Sequence, residues 1–258
     1  MRWLSEYASV IALANLRSLA RAPEVKMVLI TQVILFVIFG SMLATGSDVA
    51  VPEAFRPLLA MGAIVLTMIS VLQLLQNQFS FDRNGFRVFI LTAAPRREIL
   101  LGKNISLAPI ALGTGAIALA VLQFVYTLRV THFLASLIQL VSVFIIFCMV
   151  GNMTSIFAPM AMSTGSLKPA NPRLLAVLIQ MLITVLSPIA VIPAFIPLGI
   201  ELLLDHMGWG SIIPIYLIVS LLALGILLWI YRHVLSWQGQ LLQQREQRIL
   251  DVVTTRIE

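Results

Sequence analysis

Three histidines, one cysteine and eleven carboxylates are the groups of this 258-residue chain that could ligate a metal or act as acid, base or nucleophile. His132, His206 and His233 stand far apart with no pair at ligand spacing, and read as surface residues. Proteolysis inside a membrane needs a serine with a histidine base, or two aspartates, within the spans. A lipid transferase needs clustered acidic metal ligands. Neither pattern is present. Cys148 is the single cysteine and falls inside an apolar run, which excludes an intrachain disulfide and a Cys-based metal site. There is no G-x-x-x-x-G-K-[ST] loop to cradle phosphates. The chain is therefore expected to hydrolyse no ATP, to bind no cofactor or metal of its own, and to do no covalent chemistry.

One segment is patterned for recognition. Residues 77–104 form the longest loop, and in it Phe86, Phe89 and Ile90 recur at i, i+3 and i+4, one apolar face on a short helix. Asp82, Arg83, Gly85 and Arg87 lie on or near its start. Pro95 suits the first position of a second short helix, 96–101, that opens with Arg96 and Arg97 and is expected to end at Gly102. Two such helices either lie in the membrane interface or present a knob to a partner. Elsewhere the polar side chains of the apolar runs are mild. Gln32, Gln73, Gln139, Asn152 and Gln180 either cross-link helices or line a path for an amphiphilic substrate.

The elements that must carry these residues are set by composition. Hydrophobic residues make up 60% of the chain and charged ones 11%, against about 45–50% and about 25% in soluble domains, and mean hydropathy is +1.00. This excludes a soluble globule, a disordered chain and a disulfide scaffold. The apolar runs are continuous, unlike the alternating segments of a membrane β-barrel. An all-α membrane protein with six spans follows: 27–44, 58–75, 105–128, 133–160, 174–192 and 212–230. Residues 1–22 read as an amphipathic interfacial helix with Trp3, Leu4, Tyr7, Val10, Ile11 and Ala14 on its apolar side. Pro188, Pro193 and Pro197 make one straight fifth span improbable, so 193–207 reads as an outer re-entrant segment, the alternative being one long kinked helix. Residues 232–258 read as a separate cytoplasmic helix, with Leu235, Leu242 and Ile249 seven apart.

Orientation follows from the basic residues. With both termini inside, every Lys and Arg except Arg56 and Arg129 is cytoplasmic, and the outer loops hold Asp48, Glu53, Glu201 and Asp205. The net charge of +6 then belongs to a face against anionic lipid and requires no nucleic acid. Tyr126 and Trp209 at outer ends, with Trp229 and Tyr231 at an inner end, fit interfacial belts. The run Ala111-Leu-Gly113-Thr-Gly115-Ala-Ile-Ala118 offers a small-residue face for close packing.

The order of an interfacial helix, two spans, Asp82-Arg83-x-Gly85, then Leu91-Thr-Ala-Ala-Pro95-Arg96-Arg97-Glu98-Ile99-Leu100-x-Gly102-Lys103, then four spans, resembles the permease subunit of ATP-binding-cassette (ABC) exporters of the ABC-2 type. The resemblance implies that 77–104 carries a coupling helix, with Asp82, Arg83, Gly85, Phe86, Arg87, Phe89, Ile90, Pro95, Arg96 and Arg97 meeting a separate cytoplasmic ATPase that holds ATP and Mg. It also implies a second permease subunit, identical or homologous, an outer segment between spans five and six, and cargo such as lipids, peptides, drugs or glycans. The location implied is a bacterial inner membrane. Two other readings stay open on the residues alone: a non-transporting scaffold or sensor that uses the same loop, and an intramembrane lipid-modifying enzyme.

Overall fold

The computed structural model of the chain describes residues 4–45, 52–163, 168–170, 173–208 and 214–254. Trp3, Asp48, Trp209, Arg256 and the first two residues of the 212–230 run lie outside the described residues. The helices are α1 (Glu6–Arg21), α2 (Pro23–Thr45), α3 (Arg56–Gln76), α4 (Phe86–Leu91), α5 (Arg96–Val125), α6 (Val130–Phe157), α7 (Leu174–Ala190), α8 (Ile192–His206) and α9 (Ile215–Val253), with short 3-10 turns at Glu53–Phe55 and Arg83–Gly85. Among the described residues five stretches are long and apolar enough to cross a bilayer: α3, α5, α6, α7 with α8, and α9. This is a helical integral membrane protein.

The core lies along α3, whose Ala60, Met61, Ile64, Met68, Val71, Leu72 and Leu75 are shut away between α5 and α6. The small-residue run of α5 is used within the chain. Ala111, Gly115 and Ala118 are buried, and a Cβ on Gly115 would stand 2.3 Å from a methyl of Leu140 on α6. Helices α6 and α9 run side by side in the same direction, joined by Gln139 to Ser220 and by Asn152 to Gln238.

Helix α1 rests on α5 along one of its faces. Ser5 caps it, its hydroxyl accepting the Ala8 N–H and donating to Glu98 of α5. Asn15 then donates to Ser106 at 2.6 Å. Both numbers rise together, so α1 lies parallel to the first turns of α5. Gly102 is the reason the two helices can touch: a Cβ there would sit 2.9 Å from the Ala8 carbonyl oxygen and from Ile11. Gly102 therefore ends no helix, and α5 runs unbroken from Arg96. The buried side of α1 is Ala8, Ala12 and Leu19, while Tyr7, Val10 and Ala14 stay exposed.

The proline-rich segment follows α6 from end to end. Gln180 of α7 donates to the carbonyl of Ala158, just past the C-terminus of α6, and Glu201 of α8 meets His132 in the first turn of α6. The 21 positions between them span about 31 Å of helix. The backbone is absorbed locally: Val191 between the two helices keeps a near-helical φ of −88° and ψ of −11°, and Pro193 occupies a first-turn position that needs no N–H. Ser187 donates to the Thr184 carbonyl that Pro188 leaves free. The structure describes 174–206 as one kinked segment, with no turning back at Pro193. Helix α9 is likewise one 39-residue rod, joining the 212–230 run to the C-terminal helix, because no proline or capping residue interrupts it near Tyr231.

Candidate functional site

The loop between α3 and α5 is a braced structure. Turns at Asn77–Ser80 and Phe79–Asp82 lead into the 3-10 turn, where Arg83 takes a left-handed φ of 50°. Beneath it lies Lys103, on the second turn of α5, with 0% exposure. Its ammonium stands 2.6 Å from Asp82 Oδ2 and donates to the Gln78 carbonyl at 3.0 Å. The rings of Phe79 and Phe89 lie 5.6 and 5.2 Å from it. Burial pushes the Asp82 carboxyl above the usual carboxylate range, and Lys103 pulls against that shift.

Arg96 closes the other side of the loop. Its Nη1 donates to the carbonyls of Phe89 (2.7 Å), Thr92 and Ala94 (3.2 Å each), its Nη2 to Ile90 (3.3 Å), and its Nε pairs with Glu246 of α9 at 2.8 Å. It thus gathers carbonyls at the end of α4 and just beyond it and ties them to α9. Arg83 reaches Glu24 of α2 at 3.5 Å.

The apolar face of α4 points inward, which corrects the expected knob. Phe86 is 1% exposed and, with half-buried Phe89 and Ile90, belongs to one apolar cluster with Leu235, Leu242, Ile249 and Val253 of α9 and with Phe79, Leu100 and Ile156. Phe79 and Phe86 meet edge to face at 5.3 Å. The three residues at seven-residue spacing on α9 thus belong to the cluster that α4 joins. Of the coupling residues expected from the sequence, Asp82, Phe86, Phe89, Ile90 and Arg96 hold the loop together. Gly85, Arg87, Pro95 and Arg97 are exposed, and beside them the sequence reading passed over Val88 and Leu91, 58% and 84% exposed.

The five amides are not brought into one channel. Gln32 donates to the Thr67 carbonyl, Gln139 to Ser220, Asn152 to Gln238, and Gln180 to Asn77 and Ala158. Gln76, Asn77 and Gln78, consecutive at the end of α3, fan out: the first two reach Thr184 and Gln180 of α7, the third Asn152 and Ser155 of α6. Gln73 is exposed and shares with Gln180 the wall of a cavity of about 360 Å³ between α3 and α7. A larger cavity, about 690 Å³, lies between α1 and the loop, with Tyr7, Val10 and Ala14 on one wall and Val88 and Phe89 on the other.

At the opposite end of the bundle the structure corrects the reading of His132 as a surface residue. His132 Nε2 lies 2.6 Å from Glu201 Oε1, both residues are buried, and Glu201 Oε2 accepts the Tyr216 N–H at 2.7 Å, capping α9. Nearby, Glu53 and Arg129 pair at 2.7 Å on the surface, and Arg129 holds the Glu53 carboxyl below its ordinary range. A histidine 69 positions from its carboxylate leaves no local spacing signal, although a lone Glu beside an apolar run is one. Among the described residues no three His, Cys, Asp or Glu side chains gather as a metal site.

No protein-family model matches the chain, and no curated protein and no solved structure does.

Proposed function

We propose that the chain is the membrane-spanning permease subunit of an ABC-2-type exporter, driven by separate cytoplasmic ATPase subunits that carry ATP and Mg. The observation that supports this reading is the bracing of loop 77–95. Asp82 and Lys103 fix it to α5, and Arg96 with Glu246 fixes it to α9, so a push on the exposed Arg87, Val88 and Leu91 is passed to two spans as rigid bodies.

In this reading α2, 23 residues or about 34 Å long, is the sixth crossing, both termini are cytoplasmic, and the membrane is a bacterial inner membrane. A second permease subunit covers part of the apolar surface that α2 and α7 leave uncovered at Val33, Val37, Leu178 and Val185, and lipid covers the rest. No nucleic acid is involved, and the chain is no enzyme. The bonds that Gln32, Gln139, Asn152 and Gln180 make within the chain favour the scaffold reading as the second choice, since the amides form no continuous polar route within one chain.

The test is a mild-detergent purification of the tagged chain from its native membrane, with partners identified and ATP turnover assayed. Recovery of a P-loop subunit that is lost in Val88→Asp/Leu91→Asp, with folding unchanged, is the expected result. A chain that emerges alone and without ATPase moves the reading to the scaffold.

A further inference from the structure

Between α6, α8 and α9, at the level where the proline-containing helix crosses the bundle, lies a cleft of about 330 Å³. Its walls are Ile146 of α6, Pro193, Ala194 and Pro197 of α8, and Ala223 and Leu227 of α9. Leu222 and Ile226 stand at its rim, 63% and 62% exposed, so it opens sideways from the bundle. Among the described residues no charged one lines it. Its volume falls in the range of small-molecule sites, about 300–1,000 Å³.

One polar group in this cleft is unfinished. Gln139 lines it with 0% exposure; its Nε2 donates to Ser220, while its Oε1 has no hydrogen-bond partner among the described residues. The residue sits seven positions, about 10 Å of helix, from His132 at the bundle end, beside a sideways opening onto hydrocarbon. A bare amide oxygen buried there is costly. What completes it must donate a hydrogen bond. It must also be neutral, since no carboxylate is present to balance a cation, and otherwise apolar, since the remaining lining is.

We propose that this cleft binds a neutral, hydroxyl-bearing amphiphile entering from the bilayer, its hydroxyl donating to Gln139 Oε1 and its tail lying along Ile146, Ala223 and Leu227. The site does not depend on the exporter reading, since a scaffold or an enzyme of this fold carries the same cleft.

Trp229, one turn beyond Ile226, supplies the readout. A variant in which Trp3, Trp209 and Trp237 are replaced by Phe, in lipid nanodiscs, is titrated with 11,12-dibromododecan-1-ol and with 1,2-dibromododecane. The bromines quench tryptophan on contact, and only the first probe carries a hydroxyl. Saturable quenching by the alcohol is expected, roughly fivefold weaker after Gln139→Leu and lost after Ala223→Phe, which fills the cleft without touching the amide. That second variant keeps the test decisive where Gln139→Leu misfolds. Linear quenching that is equal for both probes and unchanged in the variants marks ordinary lipid exchange and overturns the proposal. So does saturable alcohol binding that Gln139→Leu leaves intact.

Discussion

Lys103 Nζ stands 2.6 Å from Asp82 Oδ2 with no solvent exposure at the lysine. This pair joins the loop after α3 to the second turn of α5, across 21 residues of chain. Removing one partner strands the other charge, which costs about 3–5 kcal/mol for a buried pair. Lys103→Met and Asp82→Asn should each lower the thermal midpoint of the detergent-solubilised protein, Lys103→Met the more. The double variant Lys103→Met/Asp82→Leu should recover much of the loss. Additive losses in the double variant would show that the pair contributes little.

The inward face of α4 separates folding from partner binding. Phe86→Ala empties a site in the cluster with Leu235, Leu242 and Ile249, and a buried Phe→Ala costs about 3–5 kcal/mol. Loss of thermal stability is expected whatever the partner does. Leu91→Ala, at an exposed position, should shift stability by less than about 0.5 kcal/mol and, on the proposed exporter function, weaken co-purification of the ATPase. Equal stability in the two variants would refute the packing of α4 on α9.

Glycine substitutions test the seat of α1. Gly102→Val places a side chain against the Ala8 carbonyl, whereas Gly113 has nothing within 4 Å of its would-be Cβ. Limited proteolysis should cut within 6–21 readily in Gly102→Val and at the parent rate in Gly113→Ala. Unchanged cleavage in Gly102→Val would mean that α1 does not rest on α5.

Glu201 holds two groups with its two oxygens, His132 and the Tyr216 N–H. Glu201→Ala leaves the first turn of α9 uncapped, a loss of about 1–3 kcal/mol for a buried donor. Hydrogen exchange at Tyr216 should rise tenfold or more, while Glu201→Gln, whose carbonyl still accepts that N–H, should raise it far less. Identical exchange in the two variants would assign the cap elsewhere.

Much of the architecture was legible in spacing alone. The apolar runs, the proline break within two residues of Val191, the small-residue face of α5 and the special character of 77–104 are all local patterns, set by transfer free energies and backbone chemistry over a few turns. What the sequence by itself determined was therefore the helical membrane class and the positions of its long apolar runs.

Tertiary structure alone decided which apolar faces look at protein and which look outward. In a soluble protein the polar side of a helix marks its exposed face; in this chain both sides are apolar, so periodicity loses its contrast. Phe86 turned to α9, and Tyr7 was left open, for reasons that sit elsewhere in the chain. Arg96 meets Glu246 across 150 residues, His132 meets Glu201 across 69, and neither partner is implied by the neighbours of the other. Such pairs are chosen by helix register once α3, α6 and α9 have packed, and register is a property of the bundle.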